Sequence, residues 1–258
     1  MPAELPATEP YPYHRATRLV GTAALGLTFL VACSLRPTTP SDLESAPTLS
    51  CESDNTTCSK SDMQLVANYA VTIVDDAIER LYRDMPQSKT IYVAGGQTLK
   101  TSCVDIHDEK VIANENSMTY CAADKKTYIG QAALWALYDD GGIAAVFFGY
   151  AHETGHLIQT ERHVPQPKGP KQNILHENQA DCMAGGILQV LQTEETFLQD
   201  DFDEVLEQIA SASGPTTEGT QRDHGTLEER TESFHEGFNG GMGACNIYYP
   251  DKPVINIK

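Results

Sequence analysis

Two histidines and a glutamate in the middle of the sequence have the types and spacing of a metal site. They occur in His152-Glu153-Thr154-Gly155-His156, which has the pattern H-E-x-x-H. Residues four positions apart share one face of a helix, so His152 and His156 can both direct a ring nitrogen at one ion. Glu153 lies on the neighbouring face, near the ion without having to bind it. There it can accept a proton from a water molecule that the metal activates.

The residues before the motif predict that it lies on a buried helix. Residues 143–148 are apolar and show no strand-like alternation, so we predict one helix from about Gly142 to Thr160. Titratable side chains are rarely buried without a partner. Three of them interrupt this apolar helix, which favours a metal site over a chance match or ordinary polar packing.

A second pair of candidate residues lies downstream, on a predicted helix from about Ile174 to Leu191 with Asn173 as its N-cap. Glu177 and Asp181 are four positions apart and share a face of this helix. We expect Glu177 to be the third metal ligand. We expect Asp181 to accept a hydrogen bond from the free N–H of a ligand histidine. A solvated acidic face is the alternative for this pair, and His176 is a rival third ligand.

Three segments, taken in order, resemble a known family. They are "AHETGHLIQ", "ENQADCMAG" and "HGTLEERTESFHEGFNGG". Together they resemble the bacterial neutral zinc metallopeptidases, relatives of the gluzincins, over about Cys103 to Cys245. The resemblance implies a zinc ion bound by His152, His156 and Glu177. It also implies that Glu153 is the general base.

The chain departs from this family at one visible position. The family often has a further histidine directly after the second ligand, where this chain has Leu157. That histidine is not part of the H-E-x-x-H set, so the departure leaves the expected zinc site unchanged.

The third segment contributes His224 and, six residues later, Arg230. A solvent-exposed helix start would account for His224 by itself. A peptidase also needs a donor that stabilises the oxyanion of its tetrahedral intermediate, and the pair resembles a recurring motif of the family. We therefore expect His224 to be an oxyanion donor. We expect Arg230 to anchor its helix through a carboxylate, with Asp181 as the candidate partner.

Length and charge limit the kinds of partner. The 258 residues suit one domain with appendages. Lys and Arg total 18 against 36 for Asp and Glu, which gives a net charge of −18. This charge argues against nucleic acid or an anionic membrane surface as a direct partner, because both would repel the protein.

The N-terminus has the features of a bacterial lipoprotein signal. Basic residues precede an apolar run, Leu19 to Ala32, that is too short for a comfortable membrane span. The run ends in Leu-Val-Ala-Cys, which resembles the lipobox. We expect residues 1–32 to be a cleaved signal peptide and Cys33 to carry the lipid. An ordinary secretory signal and an uncleaved anchor are the alternatives.

Residues 33–60 are rich in Ser, Thr, Pro, Asp and Glu, which is typical of a flexible tether. We expect this tether to hold a peptidase domain, residues 61–258, at the outer face of a bacterial membrane. The lipid would be the membrane partner, and a peptide or protein would be the substrate.

Cysteine usage also indicates export. Besides Cys33 the chain has six cysteines: Cys51, Cys58, Cys103, Cys121, Cys182 and Cys245. An even number in an exported chain predicts disulfides, although sequence does not fix their connectivity. Proximity in the sequence favours Cys51–Cys58 and Cys103–Cys121, which leaves Cys182–Cys245. A cysteine-rich metal site is disfavoured because the chain lacks C-x-x-C spacing.

The remaining patterns predict an α+β fold: a mainly helical, zincin-like domain with a small β-sheet. Ser61 is the expected cap of an amphipathic helix from about Asp62 to Met85. Short β-like runs follow at residues 91–93, 111–112 and 127–129. We expect Thr127 to Gly130 to be an edge strand that pairs with substrate. A loop from His163 to Asn173 and a helix at about residues 201–212 complete the prediction.

These features predict a zinc-dependent endopeptidase. A zinc-binding adaptor lipoprotein without turnover is one alternative, but Glu153 counts against it, because a structural zinc site needs no base and usually has four protein ligands. A metal-dependent hydrolase of non-peptide amides, such as those of the cell wall, is the other alternative.

Overall fold

The computed structural model describes residues 58–105, 108–193 and 225–256, together with Leu49 and Val205. The predicted signal peptide, Cys33, Cys51, His224 and all of the predicted helix at 201–212 except Val205 lie outside these residues. The described part of the chain contains four α-helices and two small β-sheets, which confirms the α+β class. None of its helices is both long and apolar enough to span a membrane.

Helix α1 (Lys60–Leu81) presents one apolar face to the core and a polar face to solvent. Its N-cap is Ser59, whose side chain accepts a hydrogen bond from the Asp62 N–H at 3.1 Å. The prediction that Ser61 caps the helix is therefore wrong. Both Ser59 and Ser61 are possible caps by residue type. The Asp62 N–H at the start of the helix bonds Ser59, three residues before it, and Ser61 already lies inside the helix.

The end of α1 also differs from the prediction. The helix ends at Leu81 and not at Met85. Pro86 follows Met85, and the residue before a proline is disfavoured in the helical conformation. Leu65 fits the apolar period of the helix, so it was expected to face the core, but its side chain is 51% exposed.

The strands form a three-stranded sheet and a two-stranded ribbon. They are β1 (Lys89–Val93), β2 (Thr98–Val104), β3 (Lys110–Asn114), β4 (Met118–Cys121) and β5 (Lys126–Gly130). In the larger sheet β5 is central, parallel to β1 and antiparallel to β4. Strands β2 and β3 pair antiparallel in the ribbon.

The prediction that Thr127 to Gly130 is an edge strand is wrong. These residues belong to β5, whose backbone groups pair with β1 on one side and β4 on the other. The edge strand that contacts the motif itself is β4, whose Tyr120 N–H donates to Glu153. The sequence did not reveal β4, because four residues are too few for an alternating pattern to show.

Helix α2 (Gln131–Glu161) carries the H-E-x-x-H motif. It begins well before the predicted Gly142, but Gly141 and Gly142 interrupt its helical conformation. Gly142 has a φ of 58°, in the left-handed region that glycine adopts without steric cost. The part after this break agrees with the predicted helix.

Helix α3 (Pro170–Thr193) carries the second pair of candidate residues. It begins at Pro170, so Asn173 lies inside the helix and is not its N-cap. The preceding loop is correspondingly shorter than predicted. A Cβ atom on Gly155 would lie only 3.1 Å from the Ala180 Cα, so α2 and α3 approach closely at the motif.

Helix α4 (Leu227–Gly240) begins with a capping box, in which the side chains of Thr226 and Glu229 each accept the other's backbone N–H. It ends at the predicted glycine pair, where Gly241 has a φ of 67°. A 3₁₀ helix, Ala244–Ile247, follows.

Two of the predicted disulfides are confirmed. Cys103–Cys121 joins β2 to β4, and Cys182–Cys245 joins α3 to the 3₁₀ helix, with Cα separations of 5.7 and 5.6 Å. Cys58 is also disulfide-bonded. Its predicted partner, Cys51, lies outside the described residues.

Glycines allow α4 to lie directly against α3. A Cβ on Gly237 would lie 1.7 Å from the Cys182 carbonyl oxygen, and one on Gly185 would lie 2.2 Å from the Phe234 carbonyl oxygen. Both contacts are with backbone atoms, which a rotamer change cannot move. The glycines therefore fix the separation of the two helices.

Gly237→Ala should lower the free energy of unfolding. Alanine favours a helix over glycine by about 1 kcal/mol, but displacing two packed backbones costs more, so we expect a net loss of about 2–4 kcal/mol. Urea denaturation measures the change. Gly95→Ala is the control, because its Cβ would meet its nearest atoms at 3.5 and 3.6 Å. Equal stability of the two variants would contradict the proposed close packing.

Candidate metal centre

His152, His156 and Glu177 form one cluster that could hold a metal ion. The Nε2 atoms of the two histidines are 3.2 Å apart. Glu177 Oε2 lies 3.2 Å from His152 Nε2, and Glu177 Oε1 lies 3.5 Å from His156 Nε2. The structure therefore brings together the three residues that the sequence predicted as ligands.

These separations suit a small transition-metal ion. Four ligands at about 2.0–2.1 Å from a tetrahedral zinc ion are about 3.3 Å from one another. The 3.2 Å between the two imidazole nitrogens lies close to that value, and Glu177 reaches the two imidazoles at 3.2 and 3.5 Å through different oxygens. Two imidazole nitrogens and one carboxylate also suit other divalent first-row metals, so the donor set fits zinc without being unique to it.

The cluster lies at the contact between α2 and α3. His152 and Glu177 are buried, whereas His156 is only partly buried. Phe148, one turn before His152, packs against the His152 ring and against Phe234 of α4. Apolar packing thus restricts the movement of the His152 ring.

Asp181 links the first ligand to α4. Its Oδ1 lies 2.8 Å from His152 Nδ1. Arg230 donates from Nε to Oδ2 at 2.7 Å and from Nη2 to Oδ1 at 2.9 Å. Both expected partners of Asp181 are thus present. With Nδ1–H donating to the carboxylate, the Nε2 lone pair of His152 is directed at the cluster.

Charges from neighbouring groups control the ionisation of the buried carboxylates. Burial alone would raise the pKa of Asp181, but Arg230 and His152 outweigh it and lower the pKa. Burial likewise opposes ionisation of Glu177, yet the two imidazoles hold its pKa well below the usual value. Both carboxylates are therefore ionised and able to bind cations at neutral pH.

His176 is not part of the metal cluster, although the sequence left it as a rival ligand. Its ring stacks on His156 with a centroid distance of 5.4 Å and meets Tyr249 edge-on at 6.3 Å. Burial lowers the pKa of His176 to about 3, so its ring is neutral. Glu177 occupies the position of third potential ligand.

Glu153 lies beside the cluster without belonging to it. Its Oε2 accepts a hydrogen bond from the backbone N–H of Tyr120 in strand β4 at 2.6 Å. Burial raises the pKa of Glu153 and outweighs the opposing effects of His156, His152 and this hydrogen bond. A raised pKa makes a carboxylate a better proton acceptor near neutral pH. Sequence reasoning did not anticipate the contact with β4.

Sequence reasoning also missed the partner of the second histidine. His156 Nδ1 lies 2.8 Å from Gln159 Oε1. The signal was available, because residues three positions apart on a helix are neighbours. His224, the predicted oxyanion donor, lies outside the described residues.

No family model matches this chain, and no curated protein or solved structure matches it significantly. The resemblance to the neutral zinc metallopeptidases therefore stays a prediction from the sequence.

Arg230→Ala should destabilise the protein, because it leaves the buried Asp181 carboxylate without its main counter-charge. We expect the free energy of unfolding to fall by about 3–5 kcal/mol, measured by urea denaturation. Arg80→Ala is the matched control, because Arg80 pairs with Asp76 at the surface and should cost less than about 1 kcal/mol. Similar losses in both variants would contradict the role of the Arg230–Asp181 pair.

Proposed function

We propose that this chain is a zinc-dependent metallopeptidase that cleaves internal peptide bonds. One observation carries the proposal: His152, His156 and Glu177 converge at zinc-ligand spacing, while Glu153 lies beside them without joining the set. Among the described residues these three form the candidate ligand set, and three protein ligands with a base nearby are typical of catalytic zinc sites rather than structural ones.

His152, His156 and Glu177 would hold the ion. Zinc bound there supplies Lewis acidity, which lowers the pKa of water and polarises a carbonyl group. Asp181 keeps His152 in the tautomer that leaves Nε2 available. The neutral His176 ring packs on the second ligand and restricts its movement.

Glu153 is the residue that moves the proton. Its carboxylate takes a proton from the attacking water and delivers it to the leaving amine. The Tyr120 N–H holds Oε2 in place, so we assign Oε1 to the water. Burial raises the pKa of Glu153, which makes its carboxylate a better proton acceptor than an exposed one.

Strand β4 is suited to bind an extended substrate. It is the edge of the three-stranded sheet that contacts α2, and its Tyr120 N–H already points at the Glu153 carboxylate. A peptide that adds to a sheet edge gains main-chain hydrogen bonds without sequence preference. We propose that the substrate backbone runs along β4 and presents its scissile bond to Glu153.

The proposed compartment is extracytoplasmic, with the protein attached to a bacterial membrane by lipid on Cys33. The disulfides Cys103–Cys121 and Cys182–Cys245 support an oxidising environment. Attachment through Cys33 rests on the sequence alone.

The metal content of the purified chain tests the ligand set. Elemental analysis should find about one zinc per chain, and Glu177→Ala should lose most of it because one of three ligands is gone. His176→Ala is the control and should retain the metal. Full occupancy in Glu177→Ala together with loss in His176→Ala would transfer the ligand role to His176.

Glu153→Gln should retain zinc and the fold but lose peptidase activity by about 10²–10⁴-fold, because an amide oxygen does not accept the proton. Turnover of an unbiased peptide library, with and without chelator, measures the effect. Glu161→Gln on the same helix is the control, because Glu161 pairs with Lys125 at the surface. Activity of Glu153→Gln within a few-fold of wild type would rule out Glu153 as the base.

A further inference from the structure

A buried chain of hydrogen bonds leads away from the second histidine of the motif. Gln159 Oε1 lies 2.8 Å from His156 Nδ1. Gln159 Nε2 donates to the His176 carbonyl oxygen at 2.7 Å and to Gln179 Oε1 at 3.1 Å. Gln179 Nε2 donates in turn to the Cys245 carbonyl oxygen at 3.0 Å.

Two backbone carbonyls fix the direction of every bond in this chain. A carbonyl oxygen can only accept, so the amide groups that meet His176 and Cys245 must present their NH₂ ends. Gln179 then offers its oxygen to Gln159, and Gln159 must offer its oxygen to His156. Neither glutamine is exposed to solvent, so water cannot replace a lost partner.

Reversal of the Gln159 amide would be penalised at both ends. Its oxygen would face the His176 carbonyl oxygen at 2.7 Å, where two acceptors repel each other. Its NH₂ group would face His156 and require a bare Nδ1. His156 would then carry its proton on Nε2, the atom that faces the cluster, and could not bind a metal.

We propose that Gln159 is a positioning residue for His156, held in its orientation by Gln179 and the Cys245 carbonyl group. The three groups keep the proton of His156 on Nδ1 and direct the Nε2 lone pair at the metal. This inference rests on the proposed function, because it assigns a role toward the proposed zinc ion.

The Cys182–Cys245 disulfide holds the last acceptor of the hydrogen-bonded chain in place. It joins the residue that supplies the last carbonyl to α3, the helix that carries Glu177 and Gln179. The acceptor for Gln179 is therefore covalently attached to the helix that bears the third ligand. The last hydrogen bond of the chain, from Gln179 to the Cys245 carbonyl, therefore lies between two segments that the disulfide holds together.

The zinc affinity of the full-length chain tests the proposal, measured by competition with a chelator of known affinity. Gln159→Leu, which has no acceptor for His156, should bind zinc about 10–100-fold more weakly than wild type. Gln159→Glu keeps an acceptor oxygen for His156 and should bind zinc within about threefold of wild type or more tightly. Its second oxygen meets the His176 carbonyl, so its thermal stability should fall. Gln179→Leu should show a smaller loss, because the His176 carbonyl still orients Gln159.

Thr154→Val is the matched control for general destabilisation. It removes a buried hydrogen bond to the Tyr150 carbonyl on the same helix without touching a histidine. Its zinc affinity should equal that of wild type even if its thermal stability falls as far as that of the Gln159 variants.

The outcomes separate this inference from the proposed function. A wild-type chain that binds no zinc overturns both. Tight binding by wild type with equal affinity in Gln159→Leu overturns the positioning role alone, and so does equal weakening in Gln159→Leu and Gln159→Glu. If Gln159→Leu does not fold, unchanged affinity in Gln179→Leu overturns the proposal.

Discussion

The buried carboxylate of Asp181 is the interaction on which the arrangement of the three site-forming helices depends. It is fully shielded from water, and an unpaired ion in such a place would cost several kcal/mol. Arg230 on α4 and His152 on α2 offset this cost through hydrogen bonds to its two oxygens. Because the three groups lie on three helices, satisfying one charge fixes α2, α3 and α4 relative to one another. The glycines at the α3–α4 contact make that separation sterically attainable.

Charge balance connects this pair to the metal cluster. Within the described part of the chain, the ionised carboxylates of Glu153, Glu177 and Asp181 face one guanidinium, that of Arg230, which leaves two negative charges in a buried region. The imidazoles respond to that excess: burial lowers the pKa of His152, but Asp181 and Glu177 outweigh it and raise the pKa to about 10. A divalent cation supplies the same two charges. Protons and a metal ion therefore compete for the same nitrogen atoms. The charge of the site favours a divalent cation, and its nitrogen and oxygen donors favour a metal such as zinc.

The parts of the site that follow from helix geometry could be predicted from the sequence, and most of the parts that depend on contacts between distant segments could not. The i, i+4 rule placed His152 with His156 and Glu177 with Asp181, because helical spacing is local. The pairing of Arg230 with a carboxylate was predicted from the resemblance of the third segment to a family motif and not from spacing along one helix. The position of β5 in the sheet was predicted wrongly, since strand order depends on pairing partners distant in sequence. The Tyr120 N–H and the Cys245 carbonyl left no sequence signal, because every residue but proline has such backbone groups.

The two histidines have different partners, and the charge balance explains why. Asp181, the partner of His152, is compensated by Arg230. A carboxylate beside His156 would add a third negative charge to a region whose two charges a single divalent cation would neutralise, and burying it would carry a large desolvation cost. A neutral amide accepts the same hydrogen bond without that charge. It also has a donor end, which must itself be satisfied when buried. The NH₂ group of Gln159 needs an acceptor, which Gln179 helps to supply, and the NH₂ group of Gln179 in turn needs the Cys245 carbonyl. The hydrogen-bonded chain is long because a neutral residue, and not a charged one, holds His156.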